Sequence, residues 1–174
     1  MNSPFISCIV PVFNGERYLR EALGSIFAQT YRPLEIIVAD DGSADGTADI
    51  VAAFGDRVRY LRQSNQRPAA ARNLGIRAAS GEFIAFLDAD DLWHPEKLTR
   101  QTDRFQARPE LDYCVAHAQN FWVPELDAEA QRYQKHRISR PLPGYVTGTL
   151  VARRTAFDTV GLFNPALPHG DSTE

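Results

Sequence analysis

With 174 residues, the chain has the length of one ordinary domain, and its 44 % hydrophobic content is enough for a single core. A formal net charge of −3 and the lack of a Lys/Arg-rich block argue against nucleic acid as a partner. Cys8 and Cys114 stand in apolar contexts without metal-ligand spacing, and the first apolar run, 5–13, is too short for a signal core followed by a span. We therefore expect a cytoplasmic protein with no membrane segment in this chain.

The first half of the chain predicts strands that alternate with helices. Apolar runs that end in turn residues indicate strands, and apolar residues that recur every three or four positions indicate helices. The predicted strands are 5–13, 34–39, 58–61 and 82–87, and the predicted helices are 16–29, 47–54 and 69–79. This alternation is typical of an α/β fold with a mainly parallel sheet covered by helices.

In the second half of the chain, strand and helix patterns alternate less regularly. Here the pattern predicts a helix over 95–105, a strand over 111–116, a strand over 148–152 and a helix over 155–160. The polar stretch 121–143 carries no period, and we assign it no regular structure. Because no linker composition divides the chain, we expect one domain over 1–174.

Three carboxylates follow the predicted strand 82–87. In an extended strand end, Asp88 and Asp90 point to the same side, where they repel each other unless a cation compensates. Hard cations such as Mg²⁺ or Mn²⁺ are commonly held by one or two carboxylates together with substrate phosphates. Alternatively, these acids cap the next helix, a role that suits Asp91 best.

A second acidic pair follows the neighbouring predicted strand. Asp40 and Asp41 precede Gly42 and Ser43, so they form either a simple turn or an edge that accepts hydrogen bonds from a nucleotide. Ligands of open α/β sheets bind at the carboxyl ends of the strands. Pro11 and Asn14, at the end of the first strand, would border the same cleft.

Arg72 lies on the Ala-rich predicted helix 69–79. Its guanidinium either faces phosphates and the acids or lies solvated on the helix surface. The histidines have no metal-ligand spacing, and no Gly-rich phosphate loop is present. Asp171, near the end of the chain, is on its own a surface acid.

Four segments in this order resemble the family 2 glycosyltransferases. They are VPVFNGERYLREALGSIFAQTY, EIIVADDGSADGT, NQRPAAARNLGI and GEFIAFLDADDLWHPEKL. The resemblance is strong over 5–98 and weaker beyond, in GTLVARRTAFDTVGLFNPAL. It implies a three-layer α/β/α GT-A (Rossmann-like) fold, with a nucleotide-sugar-binding half over about 1–98 and an incomplete acceptor-side half over about 99–174.

The resemblance also implies roles for the nucleotide-binding residues. Pro11, Asp40 and Asp41 match positions that contact the nucleoside, with Asp41 at the base, and Asn14 borders them. Arg72 matches a residue near the donor.

For metal and catalysis, the resemblance implies a further set of residues. Asp88 and Asp90 match the D-x-D pair that holds Mg²⁺ or Mn²⁺, with Asp90 the direct ligand and Asp88 nearer the ribose and diphosphate. Asp171 matches the base of an inverting transfer, although Gly170 stands where the family has a Glu.

The implied function is transfer of a sugar from a nucleotide-diphosphate sugar, with a UDP-sugar favoured, to the hydroxyl of a glycan or lipid-linked acceptor. Synthesis of polysaccharide or cell-surface glycan, with peripheral contact at the cytoplasmic face of a membrane, would suit such an enzyme. Relatives continue with an acceptor-side helix, so we expect a shortened chain that binds nucleotide but transfers sugar poorly. The alternatives are an inactive nucleotide-sugar-binding module, a nucleotidyltransferase, and an interaction domain whose acids only cap helices.

Overall fold

A six-stranded sheet forms the centre of the protein, whose computed structural model describes residues 3–134, 139–144 and 146–167. The strand bounds are β1 Ile6–Val12, β2 Leu34–Asp40, β3 Arg59–Arg62, β4 Phe83–Phe86, β5 Tyr113–Val115, β6 His117–Ala118, β7 Leu142–Pro143 and β8 Leu150–Arg153. The strands of the central sheet lie in the order β3, β2, β1, β4, β8, β5. A separate two-stranded sheet pairs β6 with β7.

Four neighbouring strands of this sheet run parallel. β1 pairs in parallel with β2 and β4, and β2 pairs in parallel with β3. β8 is antiparallel to both β4 and β5. The predicted mainly parallel sheet is therefore confirmed, and the carboxyl ends of β1, β2 and β4 meet at one edge.

Helices cover both faces of the sheet. Their bounds are α1 Leu19–Phe27, α2 Thr47–Ala52, α3 Arg67–Ala78, α4 Lys97–Ala107, α5 Asp127–Tyr133 and α6 Arg154–Val160. Alternate residues of β1 point to opposite faces. Val10 packs in one cluster with Leu23 of α1 and Leu98 of α4, whereas Ile9 packs in another with Ile76 of α3, against which Phe157 of α6 lies. The predicted three-layer α/β/α fold is confirmed.

Small residues let α3 lie close to the sheet. Ala70, Ala71 and Gly75 are buried on its inner face. A Cβ added at Gly75 would lie 2.4 Å from Cγ2 of Ile9, which is fully buried in β1. The close packing of α3 on β1 holds the middle of α3, and with it Arg72, beside the carboxyl end of β1.

Several predicted elements differ from the observed ones. The stretch 121–143, to which we assigned no regular structure, contains a 3₁₀ turn at Pro124–Leu126, helix α5 and strand β7. Because α5 has no buried residue, it lacks the apolar stripe on which a helix prediction depends. The helix predicted from residue 95 begins two residues later, at Lys97.

None of the helices within the described ranges is long and apolar enough to cross a membrane.

Candidate functional site

A cleft of about 860 Å³ opens at the carboxyl ends of β1, β2 and β4. The structure brings most of the predicted site residues into its wall. These are Pro11, Asn14, Asp41, Arg72, Asp88 and Asp90. Two predicted residues are not among them, because Asp40 is buried behind the wall and Asp171 lies outside the described residues.

Asp41 presents a half-satisfied carboxylate to this cleft. The residue is only 2 % exposed, and its backbone N–H donates to the Val12 carbonyl at 2.8 Å. Oδ1 accepts hydrogen bonds from Gln63 Nε2 at 2.7 Å and from the Gln66 N–H at 2.9 Å. Oδ2 is buried and has no hydrogen-bond partner among the described residues. A buried acceptor without a donor is unfavourable, so Oδ2 is suited to a donor on an incoming ligand.

Asp40 has a different environment from its neighbour. It is fully buried, and Oδ1 accepts from the N–H and the hydroxyl of Ser43 at 2.8 and 2.6 Å, while Oδ2 accepts from the Tyr60 hydroxyl. Burial alone would raise the pKa of Asp40, but these hydrogen bonds and the nearby Arg62 together lower it. We predicted that Asp40 would contact the nucleoside; the structure instead uses its carboxylate to hold the loop that carries Asp41.

The loops after β1 and β2 are tied together. Asn14 adopts a positive φ of 54°, and its N–H donates to the Ser43 hydroxyl at 2.8 Å. Its Oδ1 accepts from the Ala44 N–H at 2.9 Å, and the Gly15 N–H donates to the Thr47 hydroxyl at 2.9 Å. These hydrogen bonds between the two loops give the cleft a fixed wall on the side of β1 and β2.

Arg72 and Asp88 form an ion pair across the opposite wall. Arg72 Nη2 donates to Asp88 Oδ1 at 2.7 Å, and the Arg72 side chain is 16 % exposed. Arg72 Nε is buried, with no hydrogen-bond partner in the described ranges. The Thr147 hydroxyl lies 3.4 Å from Asp88 Oδ2. The pair fixes one Asp88 oxygen, and it leaves the Arg72 Nε–H beside the cleft without an acceptor among the described residues.

The acids after β4 lie in a turn. The Asp91 N–H donates to the Asp88 carbonyl at 3.1 Å, so 88–91 is not the extended strand end that we assumed. Asp91 does not cap α4 either, because that helix begins at Lys97 with Glu96 at its N-cap position. Burial, together with the charges of Asp88 and Asp90, raises the pKa of Asp91 to about 6. Crowding of these carboxylates favours a compensating cation.

The described residues fit a metal that is shared with a ligand. Among them, no three His, Cys, Asp or Glu side chains are placed to hold an ion by themselves. Asp88 and Asp90, however, both line the cleft, and two carboxylates completed by diphosphate oxygens suit Mg²⁺ or Mn²⁺. The pair is thus compatible with a cation that enters with the donor.

Several residues of the cleft wall were not predicted. They include Phe13, Tyr18, Pro68, Val146 and Thr147. Thr147 immediately precedes the segment that begins at Gly148, over which the family resemblance is weaker. Its position next to this segment is the one sequence feature that could have pointed to Thr147. Its approach to Asp88 depends on the antiparallel pairing of β8 with β4, which no local pattern predicts.

Solved structures with a similar fold place this architecture in the GT-A class. The chain aligns with S. aureus TarS in complex with UDP at a TM-score of 0.75 and 22 % identity, over 95 % of this chain and 52 % of that one. It aligns with a mannosyltransferase from Pyrobaculum calidifontis, in complex with GDP-Man and Mn²⁺, at a TM-score of 0.71 and 23 % identity, over 96 % of this chain and 49 % of the other.

Sequence comparison gives the family. The family model described as Glycosyl transferase family 2 matches residues 7–163, so the chain belongs to this family. An uncharacterised glycosyltransferase of Rickettsia typhi is 34 % identical over 96 % of this chain and 56 % of its own length. The putative glycosyltransferase EpsH of Bacillus subtilis is 46 % identical over 85 % of the chain and 46 % of its own length. The chain thus spans about half the length of these relatives.

Proposed function

We propose that the cleft binds the nucleoside diphosphate of a sugar donor, and that the protein transfers the sugar to an acceptor hydroxyl with a divalent cation. The observation that carries this proposal is the buried Oδ2 of Asp41, which has no partner among the described residues and lies in one wall of the cleft whose opposite wall holds the Arg72–Asp88 pair. The complexes of the fold neighbours with UDP and with GDP-Man and Mn²⁺ support the same ligand class.

Asp41 favours particular bases. A carboxylate oxygen only accepts hydrogen bonds, so a base that contacts it must present an N–H donor. Uracil, thymine and guanine carry a protonated ring nitrogen on their pairing edge, whereas cytosine has only its exocyclic amino group as a donor there, next to an acceptor ring nitrogen that repels a carboxylate. We therefore favour a UDP-sugar and expect cytidine nucleotides to bind poorly.

The opposite wall suits the ribose and the diphosphate. Asp88, held by Arg72, lines the cleft and would accept a hydrogen bond from a ribose hydroxyl or face the phosphates. Asp90 would be the more direct ligand for Mg²⁺ or Mn²⁺, as the family resemblance implies. The cation would offset the charge that develops on the leaving diphosphate. Arg72 holds Asp88 in place and offers an anion its Nε–H, which has no acceptor within the described part of the chain.

The transfer itself requires a base. In an inverting reaction, the base takes the proton of the acceptor hydroxyl. The hydroxyl oxygen attacks the anomeric carbon from the side opposite the nucleoside diphosphate, which leaves with the bonding electrons. Asp171 remains our candidate through the family resemblance. A role in polysaccharide or cell-surface glycan synthesis belongs to the same proposal.

The substitution Asp41→Asn tests base recognition. It keeps the size of the side chain but removes the charged acceptor, and a hydrogen bond to a charged group contributes about 1.5–3 kcal/mol. We expect UDP affinity, measured by calorimetry with Mn²⁺ present, to fall by about 10- to 100-fold. Asp56→Asn, at an exposed acid outside the cleft, is the control and should bind UDP as the wild type does. Unchanged UDP affinity of Asp41→Asn would contradict the proposal.

A further inference from the structure

A second cleft lies on the other side of the Asp88–Asp91 turn. It encloses about 770 Å³ between α4, β5 and the 3₁₀ turn Thr147–Thr149. Val146 lines both this cleft and the donor cleft, so the two are adjacent. Nothing in the proposed donor chemistry uses the second cleft.

Lys97 lies in the floor of the second cleft, and none of the described acidic side chains forms an ion pair with it. The residue is 8 % exposed, and Nζ sits 4.2 Å from the centre of the Trp93 ring. Within the described part of the chain, Nζ has no hydrogen-bond partner. Burial lowers the pKa of Lys97 to about 7. When Lys97 is protonated, its ammonium has a ring face but no counter-ion beside it among the described residues, so an anion would stabilise this form.

Gln101, one helical turn further along α4, adds a buried acceptor to the same floor. Its Nε2 donates to the Thr149 carbonyl at 3.0 Å and to the Cys114 carbonyl at 3.2 Å, which fixes the orientation of the amide. Oε1 is buried and has no partner among the residues that the structure describes. Lys97 and Gln101 therefore offer one donor and one acceptor at neighbouring positions.

The rim of the second cleft is mainly cationic. Arg104 is exposed there, and Arg100 also lines the cleft but is paired with Glu96 at 2.6 Å. Asp91 is the one carboxylate in the described lining. Phe121, 55 % exposed, adds an apolar edge against which a sugar ring can pack. These features select for a negatively charged, hydroxylated ligand.

We infer that the second cleft binds an anionic group of the acceptor, a carboxylate or a phosphate that pairs with Lys97 while a neighbouring hydroxyl donates to Gln101 Oε1. The inference rests on the proposed function, since an acceptor must bind beside the donor cleft. Nζ reaches the anion when the flexible lysine stem turns away from the Trp93 ring.

The Trp93 indole N–H is a natural reporter for this site. It donates to the Gly148 carbonyl at 3.0 Å, beside Lys97, and Trp122 provides the other indole signal of the chain as an internal reference. The indole ¹⁵N signals are followed in the whole chain, with UDP and Mg²⁺ present to fill the donor cleft. Inorganic phosphate, D-glucuronate and neutral D-glucose are titrated in separate samples.

We expect a saturable shift of the Trp93 signal with phosphate or with glucuronate, and no shift with glucose. The separate titrations show whether the site binds a phosphate or a carboxylate. Lys97→Met should abolish the shift, and Arg104→Met at the exposed rim should weaken binding several-fold. Arg57→Met is the control, because Arg57 packs on Phe27 and Phe54 away from both clefts.

Three results would overturn the inference: no saturable shift with either anion, an equal shift with glucose, or an undiminished shift in Lys97→Met. UDP binding in the same samples separates the two proposals. If UDP binds and the anions do not, only the anion site fails. If UDP itself does not bind, the proposed function fails, whatever the anions do.

Discussion

Asp40 and Asp41 are adjacent in the sequence, but their carboxylates have different environments. Asp40 accepts three hydrogen bonds inside the protein, while Asp41 leaves one oxygen without a partner among the described residues. Successive residues of an extended strand end point to opposite sides, so one carboxylate faces the loop and the other faces the cleft. The first acid holds the loop that carries the second one, and in the function that we propose a rigidly held acceptor would discriminate better between bases.

Tyr60→Phe tests the role of Asp40. The substitution removes the hydroxyl that donates to Asp40 Oδ2 and leaves a buried carboxylate oxygen short of a donor. We expect the free energy of unfolding, measured with urea, to fall by about 1–3 kcal/mol. Tyr113→Phe is the matched control: Tyr113 is 63 % exposed, and its change should stay within about 0.5 kcal/mol. Equal stability losses in the two variants would contradict the structural role of Asp40.

Lys97 makes stability depend on pH. Its pKa is lowered by burial from 10.5 to about 7, although the nearby Cys8 and Cys114 act in the opposite direction. Between these values the unfolded chain holds a proton that the folded chain has released, so the stability contributed by this group rises with pH. Lys97→Met should therefore be more stable than wild type at about pH 6, with the difference shrinking towards about pH 9.

Urea unfolding of both proteins across that range measures the effect, with Arg57→Met as the control for loss of a surface cation. A difference between wild type and Lys97→Met that stays constant with pH would show that Lys97 titrates at its ordinary value.

At the scale of elements, α3 depends on the glycine that faces β1. Ala is the better helix former by about 1 kcal/mol, but a Cβ at Gly75 would meet the fully buried Ile9 at 2.4 Å. The clash outweighs the propensity, and we expect Gly75→Ala to destabilise the protein by about 1–3 kcal/mol. The same substitution at Gly24 of α1, where a Cβ meets nothing within 4 Å, should be neutral or stabilise by up to about 1 kcal/mol.

Urea unfolding of the two glycine variants gives the comparison. If Gly75→Ala matches Gly24→Ala, α3 does not pack as closely on β1 as the structure indicates, and the placement of Arg72 loses its support.

The elements that face the core were predictable from the sequence. β1, β2 and β4 are buried along most or all of their length, so their apolar runs fall within one or two residues of the observed bounds. α5 was missed because it buries no residue, and its Tyr133 ring stacks on Trp122 without an apolar stripe. A local pattern carries information about a core face and little about an element that lies on the surface.

At the scale of the molecule, the sheet topology explains why the acidic residues of the cleft lie close to Pro11, Asn14 and Arg72. Parallel strands bring their carboxyl ends to one edge, and a run of alternating strands and helices is visible in the sequence. Asp40 could not be separated from Asp41, nor the 88–91 turn from an extended end, because these depend on Tyr60 and on the path of the chain to α4. The role of Asp171 stays a prediction.

The measurement that tests the central claim most directly is a calorimetric titration of UDP into the protein with and without Mn²⁺. We predict saturable binding that requires the metal, disappears when a chelator is added, and is lost in the double variant Asp88→Ala with Asp90→Ala, while Asp56→Ala binds normally. If UDP, GDP and dTDP all fail to bind in the presence of Mn²⁺, or if the double variant binds as wild type does, the cleft is not the metal-dependent nucleotide site that we propose.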